Sequence, residues 1–97
     1  MHAAIVTVNI AAGQFEASRG VLQQQVVPQV SKSPGFVHGY WTVNNDKSQG
    51  LSFVVFRTAQ DAQNAANSAR SMPTPPGVTI ANVEVREIVA EGEAATT

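Results

Sequence analysis

Residues 3–10 (AAIVTVNI) are β-branched and apolar, which predicts a strand with Ala4, Val6, Val8 and Ile10 on one face and the more polar set Ile5, Thr7 and Asn9 on the other. Ala12-Gly13 breaks this strand, and from Gln14 onward Phe15, Leu22, Val26 and Val30 follow a helical period. Pro28 falls inside that run. Its ring clashes with the carbonyl four residues back and it has no N–H, so the helix is expected to kink or restart there. Ser33-Pro34-Gly35 ends the helix. Residues 36–44 alternate again, with Phe36, His38, Tyr40 and Thr42 facing one way and Val37, Gly39, Trp41 and Val43 the other. A polar hairpin loop (NNDKSQG, 44–50) leads to a third strand at 51–57. Thr58 with Asp61 three residues on resembles a capping box and opens a second helix. Ala59, Ala62, Ala65, Ala66 and Ala69 let this helix approach a sheet closely, and the three prolines of MPTPPG (72–77) stop it. Residues 78–90 read as a fourth strand, and the small, polar segment 91–97 reads as a disordered tail.

The predicted order is βαββαβ in one domain, residues 1–90: an α+β, ferredoxin-like fold with a four-stranded antiparallel sheet. Right-handed crossovers put both helices on one face of the sheet. The other face is left bare, and every alternating set available to it contains large apolar residues such as Ile5, Phe36, Phe53 or Val85. A bare apolar face calls for a cover, and a second copy of the chain supplies one.

The chain has 97 residues, short enough that only roughly 60 to 65% of the unfolded surface is buried on folding. A subunit partner therefore adds stability to a thin core. Six Lys and Arg against seven Asp and Glu give a net charge of −1, which carries no electrostatic footprint for nucleic acid or anionic lipid. The absence of cysteine excludes a disulfide frame and a thiolate site, and points to a cytoplasmic home. No segment approaches the roughly 20 apolar residues of a membrane span.

Together with this element order and length, the phrase Ser33-Pro34-Gly35-Phe36-Val37 before a strand resembles the dimeric α/β-barrel superfamily, in particular the small proteins grouped with antibiotic-biosynthesis monooxygenases. The resemblance covers roughly residues 3–89. It implies a homodimer whose two sheets pair face to face, and a cofactor-independent monooxygenase acting on a small aromatic or quinol-like substrate in a cleft between helices and sheet. A haem-degrading branch of that family uses an Asn on the first strand with a Trp and a His from around the second helix. Residues 58–77 contain neither Trp nor His, which disfavours haem degradation. Asn9 is on the first strand but points into the barrel if Val6 and Val8 face the helices, so the branch's role is not carried onto it. The RNA recognition motif shares the element order, and Gly50-Leu51-Ser52-Phe53-Val54-Val55-Phe56 and Ile5-Val6-Thr7-Val8-Asn9-Ile10 imitate its two signature strands. The stacking positions are Val6 and Leu51, however, leaving Phe53 alone on a net acidic domain, so RNA binding ranks second.

His38 is the sole histidine inside the predicted domain body and is the candidate general base, because deprotonating a phenol makes the electron-rich anion that reduces dioxygen. Tyr40 shares its face and is the candidate hydrogen-bond donor; the plainer reading makes both of them half-buried strand residues. Asn9, Trp41 and Arg86 are the substrate-binding candidates, with helix-side core as the plainer role for Trp41 and a polar network with Asn82 and Glu84 as that for Arg86. No cofactor is expected. No metal is expected either, since His2 sits at the terminus and no His pair or carboxylate cluster has ligand spacing. The partners expected are a second copy and a small apolar or aromatic molecule, with neither nucleic acid nor membrane. A non-catalytic small-molecule-binding or structural dimer is the alternative function.

Overall fold

The computed structural model describes residues 1–95. The strands are β1 (His2–Ile10), β2 (Phe36–Val43), β3 (Gln49–Phe56) and β4 (Val78–Glu87), joined into one antiparallel sheet of order β2-β3-β1-β4. The helices are α1 (Phe15–Val21), α2 (Val27–Ser31) and α3 (Ala59–Ser71). This is the expected ferredoxin-like α+β arrangement. His2 lies within β1, so it is part of the sheet and not a free terminus. Residues 88–95 form no helix or strand, which ends β4 three residues short of the sequence reading. The expected tail disorder falls partly on Thr96 and Thr97, which lie outside the described residues.

The first helix restarts at the proline. A π-helical turn, Leu22–Val26, separates α1 from α2, and Pro28 sits in the first turn of α2, where its missing N–H costs nothing. Thr58 caps α3 by accepting a hydrogen bond from the Asp61 N–H at 3.0 Å, half of the capping box the sequence suggested. The alanines do what small residues permit: Ala62 and Ala66 are 0% exposed beneath α3, which packs over β1 and β4. α2 lies over β2, so the two helical layers stand apart above the middle of the sheet.

Two β-bulges decide which side chains face the helices. Phe36 pairs with Phe56 while His38 pairs with Val55, so Val37 is the extra residue and the face alternation resets there. Phe36 consequently packs on the core and meets Phe56 edge-to-face at 6.2 Å, on the side opposite His38 and Tyr40; simple alternation had put all three together. In β4 the register shifts between the partners of Thr7 and Val8, leaving Ala81 as the extra residue. That shift lets Val78 and Ile80 join Val83 and Val85 on the helix side, paired with Ile10, Val8, Val6 and Ala4.

The opposite face is only partly open, since Ala3 is 0% and Val55 3% exposed on it. Its cross-strand rows run Tyr40–Phe53–Ile5–Glu84, His38–Val55–Ala3–Arg86 and Thr42–Leu51–Thr7–Asn82. Tyr40 is 63% and Leu51 40% exposed there, beside half-buried Ile5 and Phe53.

Candidate functional site

Separation of the helices over the sheet leaves a cavity of about 760 Å³, within the size range of small-molecule sites. Its floor is the helix-facing set Ala4, Val6, Val8 and Ile10 of β1, with Trp41, Val54 and Ile80 from the neighbouring strands. One wall is α1 and the π turn, through Phe15, Leu22 and Val26. The other is α3, which presents Asp61, Asn64, Ala65, Ser68 and Ala69, with Met72 just past its end. Those positions recur every three or four residues, a single helical face. Polar groups come from both walls, Asp61, Asn64 and Ser68 from α3 and Glu16, Arg19 and Gln23 from the α1 side, and Ser52 interrupts the apolar floor between Trp41 and Val6.

Trp41 lies across Gly39: a β-carbon at Gly39 would meet the indole Cη2 and Cζ3 at 3.0 Å, so the glycine lets the ring fold back along its own strand. The ring touches the core cluster of Ala4, Val54, Phe56 and Ala62 on one side and the cavity on the other. Asp61 is half-buried at the start of α3 beside Gly35. Gly35 has φ 78°, the positive value its turn needs, and a β-carbon there would collide with the Asp61 carboxylate. Among the described residues the Asp61 side chain makes no hydrogen bond or ion pair, while Asn64 accepts one from Gln60 at 2.9 Å.

The sequence candidates divide between the two faces. Trp41 is in the cavity. His38 and Tyr40 stand together on the open face, ring centroids 5.5 Å apart and nearly perpendicular. Arg86 shares that face and pairs with Glu84 through two contacts, 3.1 and 3.2 Å, matching the polar network expected of β4. Asn9 is exposed at the far end of β1, paired with Gln49 and Thr79. A sheet therefore separates Trp41 from His38, Tyr40, Arg86 and Asn9, and no single small ligand touches both groups. Asp61, Asn64 and Ser68 were absent from the sequence candidates, although their spacing in α3 was the signal that could have found them. Among the described residues no group of three or more His, Cys, Asp or Glu is placed to hold a metal, and no helix is long and apolar enough to cross a membrane.

Two solved structures share this architecture. The haem-degrader MhuD from Mycobacterium tuberculosis, solved with two haems bound in its active site, superposes with a TM-score of 0.73 at 18% identity, over 96% of this chain and 100% of its own. A monooxygenase from the gene ActVA-Orf6 of Streptomyces coelicolor, in complex with nanaomycin D, superposes with a TM-score of 0.59 at 12% identity, over 99% of this chain and 92% of its own. At these identities the likeness is one of fold, and at that level it bears out the expected ferredoxin-like α+β architecture. No protein-family model and no curated protein sequence matches the chain.

Proposed function

We propose that the chain is a homodimeric, cofactor-independent monooxygenase that binds a small aromatic or quinol-like substrate between α1 and α3, flat against Trp41. The observation that carries this reading is the cavity itself: an apolar floor of suitable size, one large aromatic, and a half-buried carboxylate on the facing helix. The fold neighbours, a monooxygenase and a haem degrader, are in keeping with it. Haem degradation suits the residues less well, because neither histidine lines the cavity among the described residues and the β1 positions facing it are apolar.

In this reading Asp61 accepts the proton of a substrate ring hydroxyl, and Asn64 and Ser68 orient the resulting anion. In the enolate so formed the activated ring carbon carries one hydrogen; the enolate reduces dioxygen and forms a carbon–oxygen bond there, giving a hydroperoxide. Loss of water, which breaks the O–O bond and the remaining C–H bond, then leaves a carbonyl. The substrate carbon supplies all four electrons, one oxygen atom enters the product, and the other leaves as water. His38 and Tyr40 belong instead to the dimer interface, where two open faces cover each other's Tyr40, Leu51, Phe53 and Ile5. A standard interface of about 800 Å² per partner would remove roughly an eighth of the chain's 6378 Å² of accessible surface.

Oxygen uptake with anthrone as substrate tests the reading. The expected result is oxidation well above the buffer rate, lowered about 100-fold by Asp61→Asn, the usual scale for a general base, and little changed by His38→Gln. Loss of turnover in folded His38→Gln with Asp61→Asn active would move the chemistry to the open face. Binding without any oxygen uptake would favour a non-catalytic binding dimer.

A further inference from the structure

The two ends of the cavity differ in charge, and the difference originates in a loop. Between β2 and β3, the side chain of Asn44 accepts hydrogen bonds from the N–H groups of Ser48 and Gln49, each at 3.0 Å, and its carbonyl accepts from Lys47 N at 3.1 Å. The Ser48 carbonyl in turn accepts from Ile10 N at 2.8 Å, which ties the loop to the end of β1. These bonds hold Lys47 at φ 63°, a left-handed conformation uncommon outside glycine, and its chain reaches back over the α1 wall. The ammonium stands 5.4 Å from the centre of the Phe15 ring, and both residues line the cavity.

Among the described residues no carboxylate pairs with Lys47. Arg19 also lines the cavity, one turn beyond Phe15 on the same helical face, and its guanidinium contacts Glu16 at 3.8 Å. Glu16 thus offsets Arg19 and leaves Lys47 as the uncompensated cation at this mouth. The cavity's remaining acid, Asp61, is beside Gly35 at the other end of β2. Eight strand residues separate the two ends, a span of roughly 20 to 25 Å. Between them the floor is apolar except for Ser52.

The geometry points to a substrate that is an extended aromatic acid: its carboxylate binds at Lys47, its rings cover Trp41, and its hydroxyl end reaches toward Asp61. This inference rests on the cavity being the substrate site. It adds the charged substituent, which oxygen chemistry alone does not require.

Trp41 is the chain's one tryptophan and lies in the cavity, so its fluorescence reports binding without turnover. The probes are anthraquinone-2-carboxylate and anthraquinone-2-carboxamide, which differ in charge and little in shape. The intact chain should bind the carboxylate about five- to tenfold more tightly, the scale of a charge-assisted hydrogen bond partly open to solvent. That ratio should fall close to one in Lys47→Met, return in Lys47→Arg, and shrink in 0.5 M salt, roughly a threefold rise over physiological ionic strength. Equal binding of the two probes by the intact chain, or a preference that survives Lys47→Met, overturns the assignment while leaving the cavity reading standing. Failure of both probes to bind overturns the cavity reading and this inference together.

Discussion

Replacing Trp41 with alanine should cost less stability than replacing Phe56, although tryptophan is the larger residue. Phe56 is 0% exposed and locked edge-to-face against Phe36, so its truncation leaves an enclosed void and should cost about 3 to 5 kcal/mol. Trp41 is only half-buried and already faces open space. Its truncation loses roughly 100 to 120 Å² of buried apolar surface, about 2.5 to 3 kcal/mol at 25 cal/mol per Å², without the added penalty of an empty hole. Had the ring been fully enclosed, as a purely core role would require, the cost would reach the range expected for Phe56. Urea unfolding followed by circular dichroism suits the comparison, since the Trp41 variant lacks the fluorophore. With a slope of about 1 to 1.5 kcal/mol per molar urea, the Trp41 midpoint should fall by roughly 2 M and the Phe56 midpoint by more. Both variants must be measured at one protein concentration, because a dimer's apparent stability depends on it. A Trp41→Ala cost equal to or above that of Phe56→Ala would refute the placement of the indole at a solvent-accessible cavity.

Other consequences can be checked separately. Light scattering should report a dimer at low micromolar concentration, and Phe53→Lys, which places a charge at the centre of the open face, should yield monomers; an intact chain that is monomeric there would remove the interface. Gly39→Ala should keep the fold but push the Trp41 ring aside, weakening anthraquinone binding severalfold; unchanged binding would detach the ring from the ligand. The Asp46 carboxyl is held below its usual range, first by the Ser48 hydroxyl and then by the Ser48 N–H. Because the folded value is lowered, the loop's stabilisation is present above the unfolded carboxyl pKa and is lost as pH falls through the lower folded value. An NMR titration should therefore place Asp46 below the usual aspartate range and move it back toward that range in Ser48→Ala; no movement would exclude the hydroxyl as the cause. Single-stranded RNA should bind weakly at physiological salt, since the chain is net acidic and Val6 and Leu51 stand at two of the signature stacking positions; micromolar binding lost in Phe53→Ala would contradict this.

Periodicity alone conveyed most of the fold. The four strands, the cap at Thr58, the turn at Gly35 and the break near Pro28 all arise from local chemistry that a single sequence expresses. Face assignments failed where pairing partners mattered. The extra residues Val37 and Ala81 look like ordinary members of alternating strands, and only the register against β3 and β1 reveals that they are unpaired. For that reason Phe36 was grouped with His38 and Tyr40. The site was harder to read for a related cause. His38 attracted notice as an imidazole in an aromatic run, whereas a cavity is defined by the distance between two helical layers, which no residue encodes alone. The α3 stripe of Asp61, Asn64 and Ser68 was legible in spacing, but nothing in the sequence marks the cavity that it faces. Lys47 was less legible still, because a lysine in a polar hairpin loop gives no sign of its left-handed backbone or of the Phe15 ring beneath it.

A crystal structure of the chain with anthraquinone-2-carboxylate bound tests the central claim most directly, since it asks which face of the sheet holds the ligand. The rings should lie over Trp41 between α1 and α3, with the carboxylate at Lys47 and the far ring toward Asp61. Ligand density on the other face of the sheet, against His38 and Tyr40, would contradict the proposed site and return the chemistry to the histidine.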